Sequence, residues 1–217
     1  MKIGILTFHK SENYGSAFQA YALCRALNII NSENSIEIID YQNEAQRELY
    51  RTFRPFNSPK NTAKNIRSLL NISQLNRRSA AFQDFQRLLP LSKKSYNSDS
   101  ELSEAYKDYD LLICGSDQIW NPQSLDFSMA YFGVGFKCKK VSYAPSIRDA
   151  GIESFEPYRE DVSDALAEFK RVSLREKSSI PVLKELCSKR IRTVCDPTLL
   201  LTYEEYDKIC ADGYLCF

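Results

Sequence analysis

Four short polar segments carry the residue types that bind and process ligands. The first is His9-Lys10-Ser11-Glu12-Asn13-Tyr14-Gly15-Ser16, just before a long helical pattern. Small and amide residues at a helix start leave backbone N–H groups free, and the helix dipole favours a phosphate or carboxylate there. Ser11 or Asn13 as a plain N-cap, contributing about 1 kcal/mol, is the other reading. A cap explains one such residue but not the whole Asn13–Ser16 string followed by Gln19. The pattern is neither Gly-x-Gly-x-x-Gly nor a P-loop. The second segment is Gly115-Ser116-Asp117-Gln118-Ile119-Trp120-Asn121. Asp117 and Gln118 suit hydroxyls, and Trp120, the single tryptophan, either stacks on a sugar or packs inward. In the third, Ser173-Leu174-Arg175-Glu176-Lys177, Arg175 either clamps a carboxylate or phosphate through two parallel hydrogen bonds or pairs with Glu176 or another acid. The fourth, Asp196-Pro197-Thr198, is first a turn signal. His9, the one histidine, has no identified partner, so packing or ligand contact suits it better than general-acid work.

Each segment follows an apolar run that reads as a buried strand: residues 3–8, 111–114, 171–174 and 191–195. Further strands are expected over 36–40 and 141–144. Helical patterns lie between them. Residues 14–30 carry a stripe at Ala20, Leu23, Leu27 and Ile30, and others cover about 100–107, 158–169, 176–188 and 203–210. Residues 43–90 are polar and helix-rich, broken at Pro55, Pro59 and Pro90, with a stripe at Ile66, Leu69 and Leu70. This alternation predicts an α/β fold: a Rossmann-like parallel sheet with helices on both faces and a helical insertion over about 43–107. Parallel strands bring all four polar segments to one sheet edge, where open α/β sheets bind ligands.

The 217 residues are 43% apolar and 26% charged, enough for a sizeable core. A formal net charge of +1 gives no argument for nucleic acid. Between Lys60 and Lys94, eight basic residues face the single acid Asp84. That excess reads as a solvated helical face or as a patch for an anionic ligand or membrane surface. No apolar run approaches the roughly 18 residues of a membrane span, so the expected location is cytoplasmic, with room for peripheral membrane contact. Seven cysteines without a Cys-x-x-Cys pair, and one histidine, suit reduced, mostly buried thiols rather than disulfides or a metal site.

Taken in order, the segments resemble the polysaccharide pyruvyl transferase family. The resemblance rests on Gly4-Ile5-Leu6-Thr7, Asn13-Tyr14-Gly15-Ser16-Ala17-Phe18-Gln19, Ile39-Asp40-Tyr41, Cys114 to Pro122, Val141-Ser142-Tyr143-Ala144, Val172 to Lys177 and Asp196-Pro197-Thr198-Leu199-Leu200. It implies the N-terminal half of a GT-B-like two-domain fold, with residues 1–210 as one Rossmann-like domain and 211–217 as the first strand of a second. It also implies transfer of the enolpyruvyl group of phosphoenolpyruvate to a sugar or lipid-linked saccharide of a cell-surface polysaccharide. The product is a pyruvate ketal, and no cofactor is implied. Arg175 matches the arginine of the family's Ser-x-Arg-Glu segment and is expected to contact phosphoenolpyruvate. Asn13, Tyr14, Gly15, Ser16 and Gln19, with Gly115, Ser116, Asp117, Gln118, Trp120 and Asn121, are expected to line the cleft.

The chain departs from the family pattern in one respect. The family's proposed acid is a histidine of the second half, and no histidine follows His9. The expectation is therefore a chain incomplete for catalysis alone. A GT-B-like glycosyltransferase using a nucleotide sugar and a non-catalytic remnant are the alternatives.

Overall fold

Residues 2–6, Lys-Ile-Gly-Ile-Leu, form an interior strand of the sheet, and all but Lys2 are buried. Burial on both faces is the mark of a parallel strand covered by helices above and below. A computed structural model describes residues 1–211. Its elements run β1 (Lys2–Leu6), α1 (Tyr14–Ile30), β2 (Ser35–Tyr41), α2 (Glu44–Leu49), α3 (Pro59–Leu70), α4 (Ile72–Gln86), β3 (Leu91–Tyr96), α5 (Asp99–Leu102) and β4 (Leu111–Cys114). They continue with β5 (Lys139–Ser142), α6 (Arg159–Glu168), β6 (Phe169–Leu174), α7 (Ile180–Lys184), β7 (Ile191–Thr193) and α8 (Tyr203–Ala211). Of the strand expected at 211–217, Ala211 is the last residue of α8, and the rest lies outside the described residues.

All seven strands among the described residues are parallel, in the order β3-β2-β1-β4-β5-β6-β7. Strand alternation divides the core in two. Ile3, Ile5, Ile36, Ile38 and Ile113 pack under α1 and α4, with Leu23, Phe82 and Phe85, and Ile209 of α8 joins them. Leu6, Ile39, Tyr41, Leu112, Cys114 and Leu174 face the other way, against α6, α7 and the long β4–β5 connection. The doubly covered Rossmann-like sheet read from the sequence is the fold observed.

Three details differ from expectation. The 43–107 span is not helical throughout, because it also supplies β3. That strand lies at the sheet edge with Lys93, Lys94 and Ser95 exposed, so its sequence is polar; charged edges also discourage pairing with another chain. Ile30 is exposed, in the last turn of α1. Ile66, Leu69 and Leu70 do not face the core either. α3 buries its polar side instead, and Asn65 Oδ1 and Nδ2 bond the backbone N–H and C=O of Arg54 at 2.9 and 2.8 Å. Each large apolar side chain left in water forgoes about 1.5–3 kcal/mol of burial.

Candidate active-site cleft at the switch point

The strand order reverses between β1 and β4. From β1 the chain steps outward to β2 and β3, and from β4 it steps the other way to β7. The loops after these two strands therefore diverge and leave a crevice at their carboxyl ends. Leu6 and Cys114 are register partners, so Thr7 and Gly115 leave the sheet side by side. Gly115 N–H bonds Leu6 O at 3.1 Å, and Thr7 Oγ1 donates to Ser116 O at 2.9 Å. Gly115 is required here. Its φ is +123°, and a Cβ would lie 2.1 Å from Tyr143 O.

α1 starts beside this crossing. Asn13 is its N-cap, with Oδ1 accepting from Ser16 N–H at 3.2 Å. The first turn holds no acid, so its dipole is open to an anion. The chain brings its own: Ser16 Oγ donates to Asp117 Oδ2. Asp117 Oδ1 also accepts from Gln118 N–H at 2.7 Å, and its backbone holds φ 72°, in the left-handed region. Burial raises the Asp117 pKa from its ordinary value, only partly opposed by the bonds from Ser16 and Gln118 and the charge of Arg175.

Arg175 reaches the cleft from the end of β6. Its Nε donates to Glu176 Oε1 at 2.9 Å and its Nη1 to Asp196 Oδ2 at 2.7 Å. Both readings of Arg175 thus meet: it is paired by acids and it faces the cavity. Asp196 caps its own turn, accepting from the N–H and Oγ1 of Thr198 at 2.9 and 2.8 Å. Burial pushes the Asp196 pKa up, but these bonds and Arg175 outweigh it, and the net shift is downward.

The cavity is about 340 Å³ and brings together Asn13, Gly15, Ser16, Asp117, Gln118 and Arg175. The other expected contacts do not line it. Gln19 is buried beneath, its Nε2 within 3.0 Å of Thr7 Oγ1, Phe8 O and Ser16 O, and it pins the loop after β1 to α1. Tyr14 points away and packs on Phe82, ring centroids 5.0 Å apart. Gly115 and Ser116 shape the floor, and buried Ser116 Oγ donates to Ala144 O at 2.8 Å. Asn121 is buried, accepting from Gln123 N–H at 3.1 Å.

Trp120 belongs to the core, which corrects its expected place on the cleft wall. It is fully buried, stacked on Phe132 at 4.8 Å, with Nε1 donating to Tyr131 O at 3.0 Å. It anchors the loop from below. His9 is buried too. Its Nε2 lies 2.9 Å from Asp40 Oδ1 and its Nδ1 3.2 Å from Thr7 O, so both ring nitrogens face acceptors. Burial pushes the Asp40 pKa up, but hydrogen bonds from His9, Lys10 and Ser95 hold it well below the usual carboxylate range.

Phe8, Leu49, Tyr50, Ser124, Asp126, Asp196 and Thr198 complete the lining. Of these, only Asp196 and Thr198 lie in a segment read as a site motif. Tyr50 ends α2, and Asp126 is tied by its backbone O to Asn43 Nδ2 at 2.9 Å. No local pattern marks either. The lining holds three carboxylates, Asp117, Asp126 and Asp196, and Arg175 is its one cation among the described residues. Such a surface grips neutral hydroxyls better than it holds a second polyanion.

No curated protein and no solved structure matches the chain. A family model for polysaccharide pyruvyl transferase matches residues 13–216, from the N-cap of α1 to the penultimate residue, and so takes in the last four residues of the first polar segment and the whole of the other three. The chain therefore belongs to the polysaccharide pyruvyl transferase family, a family of transferases with saccharide acceptors.

Proposed function

We propose that the protein transfers the enolpyruvyl group of phosphoenolpyruvate to two hydroxyls of a cell-surface saccharide in the cytoplasm, and that the acidic cleft holds the saccharide. The observation behind this reading is the Ser16–Asp117 link beside Arg175 at the switch point. Asp117, Gln118 and Tyr50 offer the acceptors and donors that neighbouring sugar hydroxyls need.

The chemistry balances as follows. A proton delivered to the methylene carbon of phosphoenolpyruvate by an acid outside these lining residues leaves positive charge at C2. One sugar hydroxyl attacks C2 and gives its proton to the Asp117 carboxylate. Phosphate leaves with the electrons of its bond to C2, and the second hydroxyl adds there, its proton passing to the departing phosphate as the ketal closes. Two C–O bonds form, one breaks, and inorganic phosphate is released. No redox cofactor enters. A carboxylate with a raised pKa is a better proton acceptor than an ordinary one.

Arg175 is the donor-side group in this reading. Its two ion pairs orient the guanidinium before a carboxylate or phosphate arrives, which favours a bidentate contact. One guanidinium among three carboxylates does not hold a trianionic donor alone, so the remaining positive charge comes from groups outside these lining residues.

Phosphate release from phosphoenolpyruvate, measured over a panel of oligosaccharides, tests the proposal. Acceptor-dependent release, with a ketal methyl signal by NMR and a steep loss in Asp117→Asn, is the expected result. Turnover of a nucleotide sugar instead, or release indifferent to Asp117→Asn, overturns it.

A further inference from the structure

α3 is amphipathic in the inverse sense. Its polar side, Asn61, Asn65 and Ser68, is turned to the protein, and Asn61 and Asn65 are bonded to the preceding loop. Besides the Asn65 pair, Asn61 Nδ2 donates to Pro55 O at 3.1 Å. Its apolar side faces out, with Ile66 54%, Leu69 58% and Leu70 82% exposed. At 3.6 residues per turn these three share an arc of about 100°. Lys60, Lys64 and Arg67 border that arc on one flank. Phe56, in the same unit, is 74% exposed.

A cationic groove runs beside this stripe. Arg51, Arg54, Lys64, Arg67 and Arg78 line it, against the single carboxylate of Glu12. Arg51 is paired with Glu48, and Arg78 lies 3.7 Å from Glu12. The side chains of Arg54, Lys64 and Arg67 have no carboxylate partner among the described residues.

We propose that α3 and this groove dock on an anionic lipid bilayer, the apolar stripe entering the headgroup boundary and the cations meeting lipid phosphates. A stripe of Ile and Leu flanked by Lys and Arg is the composition of a helix that lies in the interface plane. No described helix is long and apolar enough to cross a membrane, so the contact is peripheral. Charge favours lipid over a second copy of the chain. A two-fold interface through this face would set one cationic groove against another. Leu49 and Tyr50 are shared by the groove and the acidic cleft, so docking here holds the cleft opening close to the bilayer.

The test is co-sedimentation of the full chain with vesicles of phosphatidylcholine alone and of phosphatidylcholine mixed equally with phosphatidylglycerol. Binding to the mixed vesicles only, weakened by added salt, is expected. Lys64→Glu/Arg67→Glu and Ile66→Asp/Leu70→Asp, all at exposed positions, should each lower the affinity roughly tenfold or more, with circular dichroism confirming the fold. Absence of binding to the anionic vesicles overturns the proposal, as does equal binding by the variants. So does self-association that Ile66→Asp/Leu70→Asp abolishes in a protein that ignores vesicles, which assigns the face to a second copy. The assay uses no substrate, so its failure leaves the catalytic reading standing.

Discussion

Two cavities meet at Leu49 and Tyr50 and carry opposite charge. The acidic one is built from strand ends, its side chains bonded to one another across more than a hundred residues, as in the Ser16–Asp117 link with a separation of 101. The basic one is built from the helical insertion, and most of its cations reach no carboxylate among the described residues. The difference teaches where specificity and where adhesion reside. Preorganised, partly desolvated groups select a small ligand, whereas unpaired exposed cations attract any anionic surface and lose that pull in salt.

The sharpest way to break the comparison is Asp117→Asn. If the acidic cleft does the chemistry, turnover in the phosphate-release assay falls about a thousandfold, within the usual range for a general base. Next is Asp40→Asn, a buried carboxylate outside both cavities. Leaving His9 and Lys10 without their partner costs about 3 kcal/mol in urea unfolding at neutral pH. Because the folded pKa of Asp40 is lowered, its stabilisation is present above the ordinary carboxylate value and lost as pH falls toward the folded one. The Asp40→Asn deficit should shrink accordingly below about pH 4.

Arg175→Ala comes third. It should cost about 1.5 kcal/mol in kcat/KM for phosphoenolpyruvate, the contribution of one charge-assisted contact. Unchanged kinetics in a folded variant would mean that Arg175 only braces Glu176 and Asp196. The smallest effect has the opposite sign. The Asp117 pKa is raised in the fold, so the ionised group disfavours folding. That penalty is absent below the ordinary carboxylate value and grows as pH rises to the folded one. Asp117→Asn should therefore unfold at slightly higher urea than the parent at pH 7 and lose that advantage near pH 4.

What the sequence discloses follows the physics of each element. β1, β4 and α1 are legible because both-sided burial leaves continuous apolar runs and Asn13 supplies a cap signal. β3 is hidden because an edge strand keeps water on its open side and so reads as polar. The stripe on α3 reads as a core-facing side, since composition gives periodicity but not the direction in which it points. Within the cleft, Asn13, Ser16, Asp117 and Arg175 follow from their positions at strand ends. Trp120 could not be assigned, because stacking on a sugar and stacking on Phe132 demand the same residue. Tyr50 and Asp126 were unreadable, as only the tertiary fold carries them to the site.

The long-range links across the cleft also bear on how an acceptor could be found. Thr7 and Ser16 lie on one side of a 109- or 101-residue excursion, and Ser116 and Asp117 on the other. Any molecule that touches both loops binds only the closed sheet and raises the melting temperature by mass action. An unidentified saccharide can thus be sought by heating the protein with candidate glycans, before a single turnover is observed.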